Sequence, residues 1–331
     1  MSIPWLRSPL ARPAQPTAVS PSVTAPGAPN TSSPTGPATT PVVSGDGFDG
    51  DGDATALPTR TPAAGAHTVV SARIDLPDPP PVSGSSKPVP VAGVLWGKEG
   101  PRLSDVRQGS LADCFLCGGI GGVVAARPEL IKKMFKDHGD GTYTVRLQIY
   151  DWDKEEYKRK SVRIDSDIYG GTSPNYAQFG QSEDGKPVLW FALLEKAYAM
   201  VLGSYGKLHD GGSPAEALEL PVNQIATEID MSKPDEKAIE TALLKIGKEK
   251  LPAVCATAEN AALYSNTGLY PCHTYSIIGC EEHDGKVYAV CRNPWGSSPG
   301  RDPIGRLDDG KFRIDVPTFA KLFDTFAYCE R

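Results

Sequence analysis

The stretch QGSLADCFLCGGIGGVV, Gln108 to Val124, places Cys114 at the head of an apolar run with helical character. The first amide N–H groups of a helix have no partner within it, and with the helix dipole they favour a negative charge. A thiol at that position is expected to ionise more readily than usual. A single cysteine is more commonly a small buried hydrophobe, but Gln108 changes that balance. Its side-chain amide and the backbone N–H of Cys114 can together donate to a developing oxyanion. Gly118, Gly119, Gly121 and Gly122 each cost a helix about 1 kcal/mol relative to alanine. Their presence implies a neighbouring element packed close against the helix. No GxxxxGK[ST] pattern supports the alternative of a phosphate loop.

Outward from this stretch, Arg127-Pro128 ends the helix over Cys114 to Ala126, and Pro128 can open the next one, PELIKKMF. Thr142 to Tyr150 and Tyr157 to Asp165 alternate apolar and polar residues and predict a hairpin. VLWFALLEKAYAMVL, Val188 to Leu202, predicts a helix buried nearly all round. Lys233-Pro234-Asp235 opens a helix to about Lys248, and Pro252 to Thr257 predicts a buried strand. Strands follow at His273 to Glu282 and Lys286 to Arg292, joined at Asp284-Gly285, a pair suited to a tight turn. Asp309-Gly310 precedes a strand KFRID and a last helix VPTFAKLF. Helices are expected to dominate a first lobe and strands a second.

Before residue 85 the composition is rich in Pro, Ala, Thr, Ser and Gly, so the segment cannot bury enough surface to offset its ordering entropy. A disordered tail over residues 1–85 is expected, serving as tether, secretion leader or removable pro-segment. DGFDGDGD within it lacks the twelfth-position glutamate of an EF-hand loop and reads as a flexible acidic patch. The 331 residues are 40% hydrophobic and 22% charged with net charge −6, which gives no electrostatic reason to expect nucleic acid or an anionic membrane as partner. Seven scattered cysteines, whose one CxxC spacing (Cys114 and Cys117) has no second Cys or His pair to complete a zinc site, suggest a reduced compartment and no zinc site. Without a signal-peptide segment or a long apolar run, a cytoplasmic location, or export without a Sec-type signal peptide, is expected.

His273 opens one predicted strand and Asn293 follows the strand paired with it. An asparagine amide oxygen can accept from one ring N–H of the histidine and hold the other nitrogen toward the thiol. Trp295 is placed to cover that contact, or is an ordinary core tryptophan. Gln108-Gly109-x-Leu111-x-Asp113-Cys114, Trp190 to Ala199, Gly203-Ser204-Tyr205, Gly211-Gly212, Cys272-His273-Thr274-Tyr275-Ser276, Arg292-Asn293-Pro294-Trp295-Gly296 and Asp308-Asp309-Gly310-x-Phe312 occur in that order. From about Val91 to the C-terminus this pattern resembles the catalytic core of calpains, cysteine proteases with a papain-like fold. The resemblance implies an α+β, two-lobe core, with a mainly helical lobe over residues 86–225 carrying Cys114 and a β-rich lobe over 226–331 carrying His273 and Asn293. It implies an endopeptidase acting on polypeptides, with Cys114, His273, Asn293 and Gln108 catalytic and Gly212 binding substrate backbone beside Trp295 and Cys272.

The pattern is broken in places. Cys272 stands where calpains carry glycine, which suggests redox pairing with Cys114 or, as the stronger reading, a narrowed cleft. Of the family's calcium ligands, Asp105 and Asp309 are present, but Val188 replaces one carboxylate and Lys311 another. No cofactor is therefore expected to be required, calcium included. The resemblance to the core runs to the C-terminus, so neither EF-hand nor C2-like domains are expected, and a monomer is expected. A peptide-binding pseudoprotease and an acyl transferase using the same Cys-His pair are the alternatives.

Overall fold

The computed structural model describes residues 74–84, 87–297, 307 and 309–330. The expected tail up to residue 73, with its acidic patch, lies outside the described residues. In chain order the elements begin with β1 (Val89–Pro90), a 3₁₀ turn at Leu103–Asp105, α1 (Cys114–Ala126) and α2 (Pro128–Met134). There follow β2 (Phe135–Asp137), β3 (Thr142–Asp151), β4 (Glu156–Asp165), β5 (Asp167–Ile168), β6 (Gly180–Gln181) and β7 (Pro187–Val188). Three helices come next, α3 (Trp190–Leu202), α4 (Tyr205–His209) and α5 (Pro214–Glu219), then β8 (Thr227–Glu228) and α6 (Glu236–Glu249). The chain closes with β9 (Ala253–Ala256), β10 (Thr274–His283), β11 (Lys286–Arg292), β12 (Lys311–Asp315), α7 (Val316–Leu322) and β13 (Thr325–Tyr328).

Two larger sheets organise the molecule. An antiparallel sheet of order β2-β3-β4 lies in the first half, and a six-stranded antiparallel sheet of order β12-β11-β10-β9-β13-β8 in the second. The buried apolar residues fall into two clusters. One is built on α1, α3 and β3, and the other on α6, α7 and the inner strands of the large sheet. The first half thus combines its helices with a three-stranded sheet rather than being helical alone.

α1 joins the two halves, and its glycines explain how. A side chain on Gly118 or Gly121 would strike Thr274 or Ser276 of β10, one on Gly119 would strike Ala217 of α5, and one on Gly122 the backbone of Ala253 in β9. The helix costs predicted from sequence are therefore offset by close backbone approach on three sides. Ser276 Oγ donates to the Gly118 carbonyl at 2.8 Å and pins the contact.

Most sequence-derived elements are present. Asp284 and Gly285 both have positive φ (50° and 70°), as the tight turn between β10 and β11 requires. Asp235 caps α6 by accepting from Lys237 N and Ala238 N. The buried helix begins at Trp190 rather than Val188, because Val188 pairs with Gly180 and bridges Val94. The short elements α4, α5, β8 and β13 are too brief to display a period in sequence. No single helix among the described residues is long and apolar enough to cross a membrane.

Residues 74–84 lie along the first half. Leu76 N donates to Asp165, Tyr169 OH to the Pro79 carbonyl, and Tyr205 N to the Pro80 carbonyl. Their anchor is Lys196, 1% exposed, whose ammonium contacts Asp78 and Asp165 and donates to the Asp167 carbonyl at 2.9 Å. Burial opposes ionisation of Asp165, but Lys196 together with the Leu76 and Asp167 N–H donors holds the carboxyl below its usual value. Removing one partner of a buried ion pair leaves an uncompensated charge. Lys196→Ala is expected to lower unfolding free energy by about 3 kcal/mol, measured by urea denaturation, and the exposed-side change Asp78→Ala by less.

Candidate active site

Cys114 opens α1, behind Asp113, whose side chain makes no capping bond and whose carbonyl accepts from Leu116 N and Cys117 N. The Cys114 thiol faces the second half. Its Sγ lies 3.9 Å from the Cys272 carbonyl oxygen, and the Thr274 backbone and hydroxyl donate toward it. The residues flanking His273 therefore bracket the sulfur. Burial, the largest influence, nevertheless pushes the thiol above its ordinary value, with help from the Asp113 charge. The readier ionisation expected from the helix terminus alone is outweighed by desolvation.

His273 precedes β10 and Asn293 follows β11, so the hairpin brings them side by side. The register Ser276↔Arg292 sets this spacing. His273 Nε2 lies 3.0 Å from Asn293 Oδ1, which also accepts from Trp295 N at 3.1 Å. The backbone donor identifies that atom as the amide oxygen. His273 Nε2 must therefore carry the hydrogen, which leaves Nδ1 as the basic nitrogen. Trp295 covers the imidazole with ring centroids 4.5 Å apart, and Tyr275 meets it edge-on at 4.9 Å. Burial lowers the His273 pKa to about 4, against a smaller opposing effect of Asn293.

Gln108 N donates to the Pro294 carbonyl at 3.0 Å, so the oxyanion candidate is tied to the asparagine loop. Its Nε2 donates to Leu111 O at 2.8 Å, leaving one amide hydrogen uncommitted to that contact. Gly109 admits no side chain because the Tyr176 carbonyl presses on it. Gly212 packs against the Phe115 ring, next to Cys114. Sequence reasoning missed His209, whose Nδ1 accepts from Ala112 N at 3.0 Å and steadies the same turn. Only its place in the short helix α4 reveals it.

Cys272 is exposed and has φ +49°, in the left-handed region that favours glycine. That conformation supplies the physical reason for a glycine here, and it places a side chain at the rim of the site. The two calcium candidates are each answered by a guanidinium. Asp105, 1% exposed, accepts from Trp190 Nε1 and Arg102 N at 2.9 Å each, with the Arg102 guanidinium 3.7 Å away. Asp309 lies 3.6 Å from the Arg292 guanidinium. Val188 is buried and apolar, and Lys311 sits opposite Arg292 in the β11–β12 ladder.

A helix-borne thiol set against the residues that flank a histidine, itself held by an asparagine, across a helix-containing and a β-rich half, fits a papain-like thiol protease core. The profile of the calpain family cysteine protease matches residues 94–303. Calpain-8 of Mus musculus is 30% identical over 257 residues, covering 70% of this chain and 36% of that protein. Calpain-9 of Homo sapiens is 29% identical over 259 residues, covering 70% and 36%. The calpain-type cysteine protease ADL1 of Oryza sativa subsp. japonica is 31% identical over 225 residues, covering 65% and 10%. The chain belongs to the calpain family of cysteine proteases. It spans little more than a third of the length of calpain-8 and calpain-9, 36% in each case.

Cys272→Gly relieves about 1–2 kcal/mol of left-handed strain against about 0.5–1 kcal/mol of added unfolded-state entropy. A net gain in thermal stability is expected, checked by calorimetry. His273 binds its proton less readily folded (about 4) than at its ordinary value of 6.5, so the unfolded chain takes up more protons between these values. Its contribution is fully present above pH about 6.5 and is lost as pH falls to about 4, by up to about 3 kcal/mol. Urea midpoints across that window should fall less steeply in His273→Gln.

Proposed function

We propose that the chain is a cysteine endopeptidase in which Cys114 is the nucleophile, His273 the general base and acid, and Asn293 the residue that orients it. The observation carrying this reading is the Nε2 contact to an asparagine oxygen whose identity a backbone N–H fixes, beside a thiol bracketed by the neighbours of that histidine. With the thiol raised and the imidazole lowered by burial, the resting pair is neutral. His273 Nδ1 takes the thiol proton as Sγ bonds to the substrate carbonyl carbon. The Cys114 N–H and the second Gln108 Nε2 hydrogen stabilise the oxyanion. The imidazolium then protonates the leaving amine as the C–N bond breaks, giving a thioester. Water, deprotonated by His273, releases the acid and restores the thiol. Polypeptide is the substrate class, with Gly212, Trp295 and Cys272 flanking the cleft.

Calcium is not required in this reading. A divalent cation needs several convergent oxygen ligands, whereas Asp105 and Asp309 already face Arg102 and Arg292, and Val188 and Lys311 stand where partner carboxylates are expected. The residues do not fit the ion. The test is cleavage of a denatured protein by the purified chain with and without chelator, compared with Cys114→Ser. Wild-type cleavage is expected to persist in chelator, and the serine variant to lose at least about a thousandfold in rate. Cleavage by the serine variant would overturn the nucleophile, and calcium-restored activity would overturn the metal reading.

A further inference from the structure

Two carboxyl groups, one preceding the nucleophile and one in contact with the first, take no part in the chemistry above. Asp113 is 0% exposed and Glu195, on α3, is 1% exposed. Cys117 Sγ faces Asp113 Oδ1 at 3.6 Å, and Glu195 Oε2 accepts from Ala177 N at 3.1 Å. The two carboxyls lie within hydrogen-bonding reach of each other, and the Gln108 amide lies beside Asp113. Asp113 Oδ2, Glu195 Oε1 and Gln108 Oε1 are all buried with no donor among the described residues. Two ionised carboxylates cannot share such a place, since each disfavours the charge of the other and neither is solvated. A single hydrogen between them resolves the contact.

Burial affects both groups, but the Asp113 charge adds to it at Glu195, which is pushed furthest. Burial raises Asp113 only to about 6. The other ionisable groups bearing on the pair are Cys114, Cys117 and Tyr205, with the Arg292 guanidinium facing Cys117 from the second half. We propose that Glu195 is a positioning residue: as a neutral carboxylic acid it donates to Asp113 and so fixes the turn Gln108–Cys114, which carries both the nucleophile and the oxyanion amide. The proton also limits the negative charge beside Cys114 to one, where a second would further oppose thiolate formation. This inference rests on Cys114 being the nucleophile.

The test uses the full chain with Glu195→Gln, which keeps shape and a donor, and Glu195→Leu, which keeps neither. Leucine is expected to lower kcat by at least about tenfold, as for a buried acceptor left unpaired, with KM little changed and alkylation of Cys114 slowed in parallel. Glutamine is expected to recover most of that loss. Infrared spectra at neutral pH should contain a protonated-carboxyl band that disappears in Glu195→Gln. Absence of that band overturns the proposal, as does glutamine being as impaired as leucine or leucine matching wild type. If leucine prevents folding, the band and the glutamine variant still decide. The band should persist in Cys114→Ser, so a failure of the nucleophile assignment remains distinguishable from a failure of this one.

Discussion

The close approach of α1 to the second-half sheet is the contact on which the remaining structure depends. Gly118, Gly121 and Gly122 bring the helix backbone against Thr274, Ser276 and Ala253. A methyl group at any of them would push the two halves apart at the point where Cys114 meets the residues flanking His273. The glycine-rich helix is thus poor by intrinsic propensity and good by packing. Its stability is borrowed from its neighbours, which couples integrity of the site to integrity of the fold.

Burial is the second governing condition. It raises the Cys114 thiol and lowers the His273 imidazole, so both work against the charged pair. The helix terminus and the Thr274 donors act in the opposite direction without prevailing. In the proposed chemistry a neutral pair needs a correctly placed base, and placement of the imidazole rests on Asn293, Trp295 and the rings of Tyr270 and Tyr275 around it. Geometry therefore carries more of the task than electrostatic activation of the resting thiol.

Much of this was legible in sequence. The helix after Cys114, the β3–β4 and β10–β11 hairpins and the buried helix α3 announced themselves by period and turn residues. The resemblance to calpains grouped Cys114, His273, Asn293 and Gln108, and the structure places His273 against Asn293, the Cys272 carbonyl near the Cys114 thiol, and Gln108 against the Pro294 carbonyl. Other features were not legible because they arise only between distant segments. The raised thiol depends on burial by the second half, and His209 acts on Ala112 from a five-residue helix. The sequence reading carried the tail through residue 85, whereas 74–84 lie along the first half because Lys196 sits among carboxylates. Glu195 stands beside Lys196 in an otherwise apolar helix, and nothing in the period of that helix announces a carboxyl partner.

The hairpin β10–β11 has a consequence of a different kind. His273 and Asn293 stand at its open end, while Asp284-Gly285 turns at the other, with seven paired positions from Ser276↔Arg292 to His283↔Lys286 inclusive. Side-chain direction alternates along a strand, so lengthening both arms equally at the turn leaves the open end in register. Adding a residue to one arm shifts the pairing unless a bulge absorbs it, as the irregularity between Ile277 and Gly279 already does. The turn is thereby a natural insertion point: a peptide tag or reporter grafted there would travel with the histidine-bearing half without entering the cleft.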